Sequence, residues 1–171
     1  MVQVAEPTRE SVIGYSEIRD RVDGLVGVVN GAYGLVGQPA INYLHRSQSI
    51  EELVALYLAA DVMLVTPVRD GMNLVCKEFI AARTDDTGVL VLSEFTGAAE
   101  SLGSALLINP YDTDGLKNAI DRAVHLPEAD VRRRMELLRE SVMTNDVYAW
   151  AHSWMVALGI ESEHDDAGAP S

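Results

Sequence analysis

The sequence is poor in cysteine, in basic residues and in uninterrupted apolar stretches. One cysteine in 171 residues, Cys76, excludes an internal disulfide and any cysteine-rich zinc centre, and it fits a reducing, cytoplasmic setting. Lys and Arg number 13 against 26 Asp and Glu, a net charge of −13. That balance excludes the dense cationic surface through which nucleic acid is held. It leaves room for a local phosphate site, which needs only a helix N-terminus and an arginine or two. No stretch approaches the ~20 apolar residues of a membrane helix. Residues 1–8 also lack the charged and apolar regions of a secretory leader. The four histidines, His45, His125, His152 and His164, show no metal-site spacing. Neither nucleic acid, membrane, metal nor cofactor is expected.

With 48% apolar residues the chain can bury a sizeable core. Residues 1–159 read as one domain, and residues 160–171 as a disordered acidic tail, since Glu161, Glu163, Asp165 and Asp166 precede Ala-Gly-Ala-Pro-Ser. Strands are predicted at 2–5, 41–44, 62–65, 89–92 and 105–108. Between them come helices at 10–30, ended by Gly31, Gly34 and Gly37, at 50–60 and at 72–83, and a helical turn at 97–101. Three further helices follow: one capped by Asp112 and running to about 126, then 128–144 and 147–158. Apolar strands separated by helices predict an α/β fold with a Rossmann-like parallel sheet covered on both faces and a helical C-terminus. Arg132, Arg133 and Arg134 fall among acidic residues and read as a solvated face.

Ligands of such sheets bind beyond the carboxyl ends of the strands. The loop after residue 65 holds a proline, a charged pair and a glycine directly before a helix: Thr66-Pro67-Val68-Arg69-Asp70-Gly71-Met72-Asn73. Gly71 would admit a ligand close to the backbone, and the free N–H groups of Met72, Asn73 and Leu74 would favour an anion. Glu78 would share the face of Gly71 and Leu74, with Met72, Cys76, Phe79 and Ile80 on the apolar side. By spacing alone, the plainer reading is favoured, with Asp70 only a helix cap and Glu78 only a solvated carboxylate.

The run Asp70-Gly71-Met72-Asn73-Leu74-Val75-Cys76-Lys77-Glu78 closely resembles the Asp-Gly-Met-Asn-Leu-Val-x-Lys-Glu signature of the trehalose-6-phosphate synthases. Pro7-Thr8-Arg9, Asn30-Gly31-Ala32-Tyr33-Gly34, Leu92-Ser93-Glu94-Phe95-Thr96-Gly97-Ala98 and the stretch 107–111 also resemble that family, in order and at matching spacing. The resemblance implies a retaining glycosyltransferase of the two-domain GT-B type, represented here by part of its C-terminal domain. Such an enzyme moves glucose from a nucleotide-glucose (UDP-glucose or ADP-glucose) to glucose 6-phosphate. The resemblance implies that Asp70 orients the donor glucose and that the amides of Gly71, Met72 and Asn73 serve its hydroxyls and diphosphate. It further implies that Leu74 and Val75 extend that wall, that Glu78 accepts from the ribose hydroxyls, and that Arg9 holds the acceptor phosphate. Residues 46–48 match the loop that cradles the base.

No metal and no covalent nucleophile are implied. The family's amino-terminal domain has no counterpart here, and neither does its Arg-x-Asp-Tyr-x-Lys segment, whose cations neutralise the diphosphate. Negligible transfer by the isolated chain is therefore expected, together with a companion chain or self-association over exposed apolar surface. A glycogen-synthase-like transferase fits the Asp-Gly-Met-Asn run and Arg9 less well. A non-catalytic interaction module that keeps the fold is the alternative from another class.

Overall fold

The structure, a computed structural model, describes residues 1–7 and 13–160. The chain divides into two compact units, Met1–Leu53 and the residues from Val54 on. Of the acidic tail predicted at 160–171, all but residue 160 lies outside the described residues, as does the predicted start of the first helix.

In the first unit, β1 (Val2–Val4) pairs in parallel with β2 (Asn42–Leu44), with Gln3 opposite Tyr43. The connecting helix α1 spans Ile13–Tyr33. It continues past the predicted end because Asn30 makes its side-chain bonds elsewhere. Its Oδ1 accepts from the Ile41 amide at 2.8 Å and its Nδ2 donates to the Ile41 carbonyl at 3.0 Å, tying the start of β2 to the helix. The last turn then closes through Gly34 N–H to the Asn30 carbonyl. Val22, Val26 and Val29 form the half-buried side of α1, while Ile18, Leu25 and Val28, apolar and at helical spacing, are exposed. The division between the units falls within helix α2, Ile50–Ala59, which opens on a capping box in which Ser49 Oγ accepts from Glu52 N–H and Glu52 Oε2 accepts from Ser49 N–H.

In the second unit, β3 (Val62–Val65), β4 (Val89–Ser93) and β5 (Leu106–Ile108) form a parallel sheet in that order. Every residue of β4 is buried, as a central strand with helices on both faces requires. On one face Val89, Val91, Leu106 and Ile108 pack with Ala123 of α4 (Thr113–Val124). On the other, side-chain alternation places Leu90 and Leu92. Helices α3 (Leu74–Ala82) and α5 (Glu128–Thr144) pack together and bury Cys76, Phe79, Ile80, Met135 and Leu138. Asp112 caps α4 as expected, its Oδ1 accepting from Gly115 N–H at 2.9 Å. Helix α6 (Val147–Ala157) buries no residue.

Two arginines have structural roles that the sequence did not predict. Arg83, only 4% exposed, donates to the carbonyls of Tyr57, Leu58, Ala60 and Thr87 and pairs with Asp85, clamping the end of α2 to the end of α3. Of the three consecutive arginines, Arg132 and Arg133 are exposed and pair with Glu128 and Asp130. Arg134 departs from the expected solvated face: it is half-buried, and its Nη1 donates to the Ser104 carbonyl at 2.8 Å.

Candidate functional site

The loops after β3, β4 and β5 meet at the carboxyl ends of the strands. Asp70 and Thr96 form a parallel bridge outside the sheet proper. Asp70 N–H donates to the Phe95 carbonyl (3.2 Å), and Gly97 N–H donates to the Asp70 carbonyl (3.1 Å). Gly97 is required by this approach, since a Cβ there would stand 2.1 Å from the Gly71 carbonyl oxygen. The β4 loop is itself fixed by buried polar groups. Phe95 N–H donates to Ser93 Oγ, and Thr96 Oγ1 both accepts from Ala99 N–H and donates to the Ser93 carbonyl. Glu94 N–H joins the Ile108 carbonyl, and the Phe95 ring lies 6.0 Å from that of Tyr111.

Against this support the Asp70 turn closes on itself. Asp70 Oδ1 accepts from the amides of Met72 (3.2 Å) and Asn73 (3.1 Å), and Oδ2 accepts from Asn73 Nδ2 (2.9 Å). The Asn73 side-chain bond, then the two amides, hold the Asp70 carboxyl below the ordinary carboxylate range. Three expectations are corrected. The helix begins at Leu74 rather than Met72, because Asn73 is its N-cap: it has a left-handed φ of 64°, and its Oδ1 accepts from Cys76 N–H. The Met72 and Asn73 amides are therefore not free. From Gly71 to Val75, the N–H groups left without an acceptor among the described residues are those of Gly71, Leu74 and Val75. Met72 is 47% exposed, not on the packed side, and Leu74 and Val75 are exposed beside it. Among the described residues nothing lies within 4 Å of a Cβ placed on Gly71, so none of them explains the glycine there.

Glu78 is exposed, one turn along α3 from Leu74 and Val75. Its Oε2 accepts from the hydroxyl of Tyr57 at 3.0 Å. Tyr57 is buried, and its ring meets Phe79 edge-on with centroids 6.3 Å apart. Burial first, then the Glu78 carboxylate, push its phenol up to about 12. Tyr57 was missed in the sequence; the available signal was a phenol on the apolar side of α2, which needs a polar partner. In the sequence Gly97 stands in a matching motif and opens a helical turn, and its contact with Gly71 is visible only in the fold. Cys76 is fully buried, and burial pushes its thiol up to about 11. In the first unit, the 46–48 loop is held by Arg46 to Glu52 (3.1 Å) and by Gln48 Nε2 to the Arg46 carbonyl (2.9 Å). Arg9 lies outside the described residues.

A model of glycosyltransferase family 20 matches residues 1–159. The chain belongs to this family. Its family-20 relatives include the trehalose-6-phosphate synthase of Mycolicibacterium smegmatis, 50% identical over 98% of this chain and 33% of the relative. That of Mycobacterium tuberculosis is 51% identical over 92% of the chain and 32% of the relative. Among solved structures, an α,α-trehalose-phosphate synthase (UDP-forming) from Burkholderia xenovorans in complex with glucose-6-phosphate aligns with a TM-score of 0.87. It is 39% identical over 92% of this chain and 35% of that one. The Escherichia coli protein bound with UDP-2-fluoro glucose aligns equally well, at 0.87, 39%, 92% and 35%. The parallel-sheet architecture is thus that of part of a GT-B glycosyltransferase. The chain spans about a third of the length of the family-20 relatives it matches.

Proposed function

We propose that these residues form the donor side of a trehalose-6-phosphate synthase, binding a nucleotide-glucose whose glucose is transferred to glucose 6-phosphate. The observation that carries this reading is the Asp70–Asn73 turn. It is stitched from behind by the β4 loop and, with the first turn of α3, presents an open glycine and three unpaired amides at the carboxyl end of a parallel sheet. Asp70 acts by orientation. An ionised carboxylate offers about four acceptor sites; its own turn uses three, leaving room for one glucose hydroxyl. The amide of Gly71 and those at the start of α3 face the sugar hydroxyls and the diphosphate, where partial positive charge opposes the leaving group's charge as the glycosidic bond breaks. Because the Met72 and Asn73 amides are engaged by Asp70, their part is to shape the turn. Leu74 and Val75 line the same wall, and Glu78 accepts from the ribose diol. Arg9 is assigned the acceptor phosphate, for which a guanidinium is suited.

The family resemblance favours a cytoplasmic enzyme that needs neither metal nor covalent nucleophile. The diphosphate-neutralising cations and most of the acceptor pocket are assigned to sequence of the kind that makes up the rest of the relatives, in the same polypeptide or in a companion chain. UDP-glucose is the first donor to test, because the structures aligned with this chain include a UDP-forming synthase and one bound to a UDP-glucose analogue; ADP-glucose is the second. Calorimetric titration of both into the purified chain tests the reading, with Asp70→Ala and Glu78→Ala alongside. Saturable binding that both substitutions weaken is expected. A folded chain that binds neither nucleotide sugar contradicts the proposal.

A further inference from the structure

Glu78 is an exposed glutamate whose carboxylate does not float free. Its one hydrogen-bond partner among the described residues is Tyr57, a side chain only 7% exposed on a different helix, 21 residues earlier. The phenol is immobilised from several directions. Its ring is wedged against Phe79, the residue that follows Glu78, and its backbone carbonyl accepts from the Arg83 guanidinium at 3.1 Å. Arg83 closes the same helix that carries Glu78. The Tyr57 ring, the Glu78 carboxylate and the Arg83 clamp thus form one rigid unit between α2 and α3.

We infer that Tyr57 is a positioning residue for donor recognition: its hydroxyl holds the Glu78 carboxylate in the orientation that meets the ribose diol of a nucleoside diphosphate sugar. The inference rests on the assignment of the ribose to Glu78 given above. A solvated glutamate has several rotamers and loses that freedom on binding. A fixed phenol removes the cost beforehand, as preorganisation generally does. The phenol occupies one of about four acceptor sites on the carboxylate, so Oε1 and a lone pair of Oε2 remain for two hydroxyls. Because the hydroxyl keeps its proton far into the alkaline range, it remains a donor at neutral pH. Leu74 and Val75, one turn earlier on α3, are exposed on the same side. The carboxylate is thereby held at the continuation of the open Gly71 turn.

The test measures the affinity of the full chain, Tyr57→Phe and Glu78→Gln for UDP-glucose and for its analogue with 2′,3′-dideoxyribose. Tyr57→Phe keeps the ring and its contact with Phe79, and circular dichroism checks that each variant is folded. The expected result is that Tyr57→Phe binds UDP-glucose about fivefold more weakly, as for the cost of ordering one rotamer-rich side chain on binding, yet binds the dideoxy analogue as the unaltered chain does. Unchanged affinity for UDP-glucose in Tyr57→Phe, with Glu78→Gln impaired, overturns the role of Tyr57 alone. An equal loss for both ligands also overturns it, because a merely structural tyrosine would not distinguish them. Full affinity in Glu78→Gln, or no binding by the unaltered chain, removes the ribose assignment itself and the inference with it.

Discussion

Replacing Gly97 with alanine would put a methyl carbon 2.1 Å from the Gly71 carbonyl oxygen, well inside any van der Waals contact. The obstructing atom is backbone, so no rotamer change relieves the clash. One response is that both loops stay in place and strain, which in packed sites costs about 1–3 kcal/mol. The other is that the loops part and lose Asp70 N–H to Phe95 and Gly97 N–H to Asp70. Two hydrogen bonds at ~0.5–1.5 kcal/mol each give about the same total. Both routes predict a loss of about 1–3 kcal/mol, or a fall of about 1 M in the urea midpoint for a typical denaturant slope. Gly71→Ala is the matched comparison, since its new methyl meets nothing and its φ is outside the left-handed region. Stability there should hold or rise by a few tenths of a kcal/mol, while UDP-glucose affinity falls because the methyl occupies the space assigned to the ligand. Urea unfolding followed by circular dichroism, with calorimetry on each variant, separates the two cases. An unchanged midpoint for Gly97→Ala, or full donor affinity in Gly71→Ala, refutes the reasoning.

Arg83→Met should cost about 3 kcal/mol in urea unfolding, because the buried carbonyl of Tyr57 and the partly buried ones of Leu58 and Ala60 lose their donor at ~1–3 kcal/mol each with partial rehydration; a midpoint like that of the unaltered chain contradicts the clamp. Asp70 has a lowered pKa in the folded chain, so its contribution to stability is present above the ordinary carboxylate value of 3.8 and is lost as pH falls through the depressed value. The stability difference between the chain and Asp70→Ala should therefore shrink only at strongly acid pH, and a difference constant to the lowest accessible pH would count against it. Cys76, buried and with its thiol pushed up to about 11, should resist thiol reagents in the native chain and react fully on unfolding. Rapid labelling under native conditions would show that the start of α3 is open.

What the sequence revealed followed the strength of its local signals. The strands of the second unit are continuous apolar runs with helices between them, and both their positions and their parallel arrangement were legible. The Asp70–Glu78 run located the site. It did not disclose that Asn73 would take a left-handed conformation and move the helix start to Leu74, because asparagine tolerates that region without requiring it. Nor did it show that Asp70 would spend its acceptors on its own turn. Gly31 reads as a helix end, yet glycine only weakens a helix, and here the Asn30 side chain bonds to Ile41 while the helix runs on. Tyr57 with Glu78, Gly97 with Gly71 and Arg134 with Ser104 are contacts between residues more than 20 positions apart. Neither periodicity nor spacing encodes such pairs.

The measurement that tests the donor-site assignment most directly is a nuclear magnetic resonance titration of the nitrogen-labelled chain with UDP-glucose, following every backbone amide. The assignment predicts saturable shifts centred on the amides of Gly71, Leu74 and Val75, with smaller ones through Phe95–Gly97. Saturable shifts centred elsewhere in the chain, with these amides unmoved, would contradict it.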